Sequence, residues 1–170
     1  MITLTLPDGA TREFDAPLDG LAFATSISKS LAKKALALKL NGEVVDLATV
    51  IDANADIAVI TAADEEGVDL LRHDCAHVLA EAVQELFPET QVTIGPVIKD
   101  GFFYDFARET PFSLDDLEAI EQRMRDIVDR NEEIVREVWQ RDEAVAHFTE
   151  IGEIYKAEII ASIPGDQPIT

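Results

Sequence analysis

Apolar and polar positions alternate in short bursts over the first sixty residues. Ile2, Leu4 and Leu6 alternate with Thr3 and Thr5, the period of a half-buried strand. Pro7-Asp8-Gly9 supplies turn chemistry, because proline presets φ and glycine permits positive φ. Thr11 to Phe14 is the expected returning strand. From Leu21 to Lys33 the spacing turns helical, with Phe23, Ile27 and Leu31 on one face. Leu36, Leu38 and Leu40 alternate again and run into Asn41-Gly42, the strongest short hairpin signal, since both central positions of a type I′ turn want positive φ. Val44 and Val45 fall on the partner strand, and Asp56 to Thr61 is a last apolar strand. The order β-β-α-β-β-β predicts a β-grasp, the ubiquitin-like architecture, over residues 1–62.

Asp64-Glu65-Glu66-Gly67 is a charged joint, and the periodicity then changes. Leu70 to Phe87 is expected to be one helix, with Leu71, Cys75, Val78, Leu79, Ala82 and Leu86 as its apolar stripe and Pro88 as its stop. Val92 to Ile94 and Phe102 to Phe106 have strand character, separated by Gly95-Pro96 and the turn Lys99-Asp100-Gly101. Ser113-Leu114-Asp115-Asp116 resembles a capping box, opening a helix that carries Leu117, Ile120, Met124, Ile127 and Val128. A strand near Ile134 to Trp139, a short helix over Asp142 to Phe148 and a segment from Glu153 to Ile160 follow. The tail, Pro164-Gly165-Asp166-Gln167-Pro168, has turn composition with no element expected after it. Residues 63–170 therefore predict a second, α+β domain, and the whole chain an α+β fold class.

Charge changes the picture more than size does. Fourteen Lys and Arg against 34 Asp and Glu leave a net charge of -20 over 170 residues. Such a surface repels phosphate, which argues against broad, non-specific nucleic-acid binding and favours local contacts. The one cysteine, Cys75, excludes an intrachain disulfide. The N-terminus lacks a basic stretch followed by an apolar core, and no apolar run approaches the roughly 20 residues that span a bilayer. A cytoplasmic protein is expected, with no membrane partner.

His73 and His77 stand at i and i+4 on the predicted helix, so both imidazoles face one space, where they can order water or contribute to a metal site. Packing alone explains such a pair equally well. Asp74 occupies the place where the metalloprotease motif needs glutamate. Cys75 points about 200° away from His73 at 100° per residue, so it is expected in the core rather than as a ligand. Tyr104, within Gly101-Phe102-Phe103-Tyr104-Asp105, needs a partner for its hydroxyl if buried. Lys156 by itself suggests a solvated lysine, and His147 a surface or helix-packing histidine.

Together these pieces carry a resemblance. Arg72-His73-Asp74-Cys75-Ala76-His77 resembles the R-H-[ST]-x-A-H segment of threonyl-tRNA synthetases. Ile94-Gly95-Pro96-Val97-Ile98 with Gly101-Phe102-Phe103-Tyr104-Asp105-Phe106 is similar to the family's I-G-P-x-I-x-x-G-F-x-Y-D block, and Gly152-Glu153-Ile154-Tyr155-Lys156 to its G-E-x-Y-K block. The leading β-grasp resembles the TGS domain that precedes the editing domain of the bacterial enzymes. By that resemblance the parent enzyme attaches threonine to tRNA using ATP, and this region contributes to hydrolysis of mischarged seryl-tRNA. His73 and His77 would be catalytic, while Tyr104 and Lys156 would bind the aminoacyl ester or the terminal adenosine. Threonine exceeds serine by one methyl, a difference worth only about 1–3 kcal/mol in a pocket, so a second, hydrolytic sieve is needed.

The resemblance also implies what lies elsewhere. The family's Cys-x-x-x-His half-site is absent before Thr170, as are the aminoacylation core and anticodon-binding domain, so activity of this stretch alone is not expected. Asp74 replaces a small hydroxyl residue. No cofactor is expected here. ATP, Mg and a catalytic-domain zinc are implied for the full-length parent, with tRNA and the rest of the synthetase as partners and a homodimer for the full-length enzyme only. Two other readings stay open: a non-catalytic β-grasp-containing module that binds RNA or protein, and a His pair forming half of a metal site, as in the related alanyl editing family.

Overall fold

The computed structural model describes every residue except Glu133 and Asp166. It divides into two units, Met1–Leu71 and Arg72–Thr170. The first is built on five paired strands: β1 (Ile2–Thr5), β2 (Thr11–Phe14), β4 (Ala35–Leu40), β5 (Glu43–Val45) and β7 (Ala55–Thr61), with β3 (Leu18–Asp19) and β6 (Val50–Ile51) forming a small ribbon. The sheet order is β2-β1-β7-β4-β5, in which β1 runs parallel to β7 and the other pairs are antiparallel. This is the expected β-grasp. Asn41 and Gly42 take φ of 50° and 91°, both positive as a type I′ hairpin demands.

Leu4, Phe23, Leu38 and Ile51 are at most 2% exposed and, with Ile2 and Ile57, form the core of this unit. Gly20 sits so close to Leu38 that a side chain there would overlap it, which lets helix α1 (Gly20–Ile27) lie down on β4. The helix expected from Leu21 to Lys33 is in fact two: α1 stops at Ser28, whose extended backbone caps the next short helix α2 (Lys29–Ala32), its hydroxyl accepting from Leu31 N. The ribbon of β3 and β6 left no periodic signal, because two-residue strands are too short to alternate.

The helix expected from Leu70 begins five residues earlier, as α3 (Glu65–Leu86). The supposed joint is its first turn. Asp64 accepts from both the backbone N and hydroxyl of Thr61, which holds its carboxyl below the ordinary range, and Glu66 pairs with Lys39. Those contacts tie the first turn of α3 to the sheet of the first unit.

In the second unit, α4 (Leu114–Arg130) opens with the expected capping box: Ser113 Oγ accepts from Asp116 N, and Asp116 accepts from Ser113 N. Its Ile120 and Ile127 pack on Ala82 and Val83 of α3. Glu85 is gripped by Arg130 and Arg123, which pull its carboxyl down to about 2. That lowered folded-state value makes the contact's contribution full above the ordinary carboxylate range and lost as pH falls through 2.

Cys75 departs from expectation. It is exposed, as is Leu71, because the buried stripe in this stretch runs through Ala76, Ala80, Ala82 and Val83, one face over from the predicted line. The strand expected over Phe102 to Phe106 is split into β10 (Gly101–Phe102), paired with β9 (Val97–Ile98), and β11 (Phe106–Ala107), paired with β8 (Gln91–Val92). Near Ile134 to Trp139 only Trp139 pairs, in an isolated bridge to Ile169. Ile134 and Val135 remain 93% and 70% exposed, since no neighbouring strand offers them a ladder among the described residues. The tail, whose Asp166 lies outside the described residues, forms no further strand or helix among the described residues and touches Trp139 only through this isolated bridge. Helices α5 (Arg141–Glu150) and α6 (Ile154–Ser162) complete the unit, joined where Arg141 donates to the carbonyls of Ile160, Ile163 and Pro164.

Candidate active site

His73 and His77 project from the same face of α3, and their Nε2 atoms lie 3.0 Å apart with the rings edge-on at 85°. At that distance one nitrogen donates and the other accepts, so the pair is at home as two neutral rings. Burial pushes the His77 pKa below the ordinary histidine value, His73 and Lys156 push the same way, and Asp74 opposes them. A lowered pKa leaves His77 uncharged near pH 7, with a lone pair to offer.

Lys156 lies on the first turns of α6, its ammonium 5.4 Å from the centre of the Phe148 ring. Two devices fix this end of the helix. Gly152 takes φ of 84°, open to glycine, and turns the chain so that Glu153 N reaches Phe148 O. Gln91 then accepts from Ile154 N at 3.3 Å.

Tyr104 is brought in by the break between β10 and β11. Asp105 N donates to Ile94 O and Thr93 N to Asp105 O, which lays residues 103–105 along residues 93–96. The Tyr104 ring covers Gly95 so closely that any side chain at 95 would overlap it, and its other face stacks on Phe106 with centroids 4.7 Å apart. The glycine is the reason the two sequence blocks occur together. Burial raises the Tyr104 pKa, and the charge of Glu153 raises it further.

Of the four predicted residues, His73 and His77 are in direct contact; the charge of Lys156 acts on His77, and that of Glu153 on Tyr104, without a contact between them. Glu153 was not singled out from the sequence, although it stands inside the quoted Gly152–Lys156 block. One of its oxygens accepts from Gln84 of α3; the other, Oε2, is withdrawn from solvent and has no hydrogen-bond partner. His147 is exposed and packs edge-on between Trp139 and Phe148, away from this group's chemistry.

No cluster of three His, Cys, Asp or Glu able to hold a metal occurs among the described residues. Two imidazoles fill only half of a tetrahedral shell. Zinc added to this chain is accordingly expected to be lost on gel filtration, and a stoichiometric amount retained would reveal donors beyond the pair.

A ubiquitin-like grasp joined to a histidine-bearing α+β unit is a combination that comparison with known proteins sharpens. Residues 2–61, within the first unit, match the TGS domain. Over its whole length the chain is related to the N-terminal region of threonine–tRNA ligases. It is 66% identical to threonine–tRNA ligase of Parvibaculum lavamentivorans over 170 residues, which are 100% of this chain and 26% of that protein. The corresponding figures are 59% for the enzyme of Paramagnetospirillum magneticum, with 99% and 27% covered, and 53% for that of Rickettsia canadensis, with 100% and 27% covered. The chain therefore spans about a quarter of the length of these relatives. Among the described residues no helix is long and apolar enough to cross a membrane.

Proposed function

We propose that this chain is the TGS and proofreading region of a threonine–tRNA ligase, and that residues 72–170 supply part of a site that hydrolyses seryl-tRNA. The observation that carries this reading is the His73–His77 contact, with a His77 pKa lowered by burial, His73 and the charge of Lys156. A neutral imidazole within the field of a cation suits ester hydrolysis. The imidazole takes a proton from water as the water oxygen bonds to the ester carbonyl carbon. Lys156 donates to the oxygen on which charge develops, the ester C–O bond breaks, and the proton passes to the ribose oxygen. Tyr104 holds the aminoacyl group or the terminal adenosine. In this reading tRNA is the macromolecular partner, the enzyme is cytoplasmic, and the full-length ligase is a homodimer. ATP, magnesium and zinc would serve threonine activation and transfer in the rest of the ligase; the His pair, with two donors, is not a seat for them.

The test uses the full-length ligase containing this chain. It is expected to hydrolyse seryl-tRNA in preference to threonyl-tRNA, and Lys156→Met to slow that hydrolysis about tenfold or more, the worth of a charged hydrogen bond, with threonylation unchanged. A full-length ligase that leaves seryl-tRNA intact would overturn the reading.

A further inference from the structure

One residue in five is acidic, yet none of the 23 residues between Asp19 and Glu43 is, where that density would place four or five. The next longest acid-free run, residues 90–99, has ten. Burial does not account for the gap. Nine positions from Leu21 to Lys34 are exposed, and every one is neutral or basic. They belong to α1, α2 and the turn into β4, all within the first unit. The cations of the stretch are Lys29, Lys33, Lys34 and Lys39, and Lys39 is taken up by Glu66. The other three are exposed and, among the described residues, form no ion pair or hydrogen bond through their side chains. Nothing in the fold asks for them. Lys29 stands at the first position of α2, the end of a helix that favours anions. Lys33 N donates to Lys29 O at 3.3 Å, so the two side chains stand one helical turn, about 6 Å, apart. Like charges at that spacing repel. Lys34 follows in the turn that its N closes on Leu31 O at 2.9 Å. Such a cluster costs the fold and gains only by meeting anions outside it.

We propose that Lys29, Lys33 and Lys34 form a docking surface for the phosphate backbone of RNA. With a net charge of -20 the chain repels a polyanion over most of its surface, so this acid-free patch decides where one can touch. Lysine suits that partner: protein interfaces are depleted in it, whereas phosphate contacts use it. A bilayer is disfavoured because α2 presents no exposed large apolar side chain to enter one. That the RNA is tRNA rests on the partner reading above; the phosphate-binding surface does not depend on the editing chemistry.

The test is the salt dependence of tRNA binding by the full-length ligase, measured with unacylated threonine tRNA from about 50 to 200 mM salt. Each lysine–phosphate contact adds about 0.7–0.9 to the slope of log K against log salt. Replacing Lys29, Lys33 and Lys34 together by alanine should therefore lower the slope by about 2.1–2.7, so that affinity falls roughly 20–40-fold less across that interval than in the wild type. Replacing all three by arginine keeps the charge and should keep the slope. If the alanine variant melts early, the three single alanine variants decide, each expected to lower the slope by about 0.7–0.9. An unchanged slope in the folded variants, or wild-type tRNA binding without salt dependence, overturns the proposal. Wild-type binding to phosphatidylserine vesicles that the alanine variant lacks, with an unchanged tRNA slope, would hand the surface to a membrane instead. Failure of the editing reading is seen separately: a ligase that leaves seryl-tRNA intact but loses slope in the alanine variant ends that reading and upholds the surface. Intact seryl-tRNA hydrolysis with an unchanged slope does the reverse.

Discussion

His77→Ala in the full-length ligase is expected to slow seryl-tRNA hydrolysis by about 10²–10⁴-fold, the range for a positioned acid or base, while threonylation stays near its original rate. The expectation follows from the lowered pKa of His77 and its 3.0 Å contact with His73. The same origin gives the pH profile. Burial first, then His73 and, least, Lys156 disfavour the imidazolium, and Asp74 opposes them. The acid limb of kcat/KM for hydrolysis should therefore lie below the ordinary histidine value. Lys156→Met removes one of the depressing charges and should move that limb upward. His73→Ala removes another neighbour together with the Nε2 partner, and should cost hydrolysis by a similar factor. Hydrolysis, threonylation and a melting curve measured on one preparation decide between chemistry and packing. Equal losses in both activities, accompanied by a lower melting temperature, would return the pair to a packing role.

Gly67→Ala should destabilise the first unit by about 2 kcal/mol, against the direction helix propensity gives. Gly67 lies inside α3, where alanine is favoured by about 1 kcal/mol. A methyl group at this position, however, would overlap the Thr61 carbonyl oxygen and stand 2.7 Å from its carbon. Both parties are backbone. Thr61 is also tied to Asp64 through its N, its hydroxyl and its carbonyl, so it cannot give way. An overlap of this kind belongs at the upper end of overpacking costs, about 3 kcal/mol, which outweighs the propensity gain. Thermal melting should fall by roughly 8–16 °C for a unit of this size. A melting temperature that rises or holds would mean that α3 starts further from β7 than described.

The difference between those two sites also explains what was legible in the sequence. Signals confined to a few residues came through: Asn41-Gly42 as a hairpin, Ser113 with Asp116 as a capping box, and the Ile120–Ile127 face of α4. Failures occurred where a distant backbone decides. Asp64-Glu65-Glu66-Gly67 has the composition of a linker, and only the closeness of Thr61 shows why glycine begins a helix there. Five residues with four aromatics, Phe102 to Phe106, suggest a strand, yet the chain breaks so that Tyr104 can cover Gly95. Cys75 fits a helical stripe by period, but the face that α4 covers is set by Ala82 and Val83. For the candidate site, the i, i+4 histidines needed only a helix. Tyr104 and Lys156 came from the resemblance, and Glu153 needed the fold, since its link to Gln84 spans 69 residues of sequence.

The contact between the two imidazoles gives the site a polarity. Two neutral rings carry two N–H hydrogens, and with Nε2 atoms 3.0 Å apart one hydrogen occupies the gap. The ring that supplies it has a bare Nδ1; the ring that receives it must carry the second hydrogen on its own Nδ1. The pair therefore always shows its surroundings one outward acceptor and one outward donor. Which histidine plays which part reverses if the bridging hydrogen crosses the gap while one Nδ1 gives its proton to the surroundings and the other Nδ1 takes one up, with no movement of heavy atoms. Whatever binds beside one ring thereby dictates what the other ring, a full turn of helix away, has to offer.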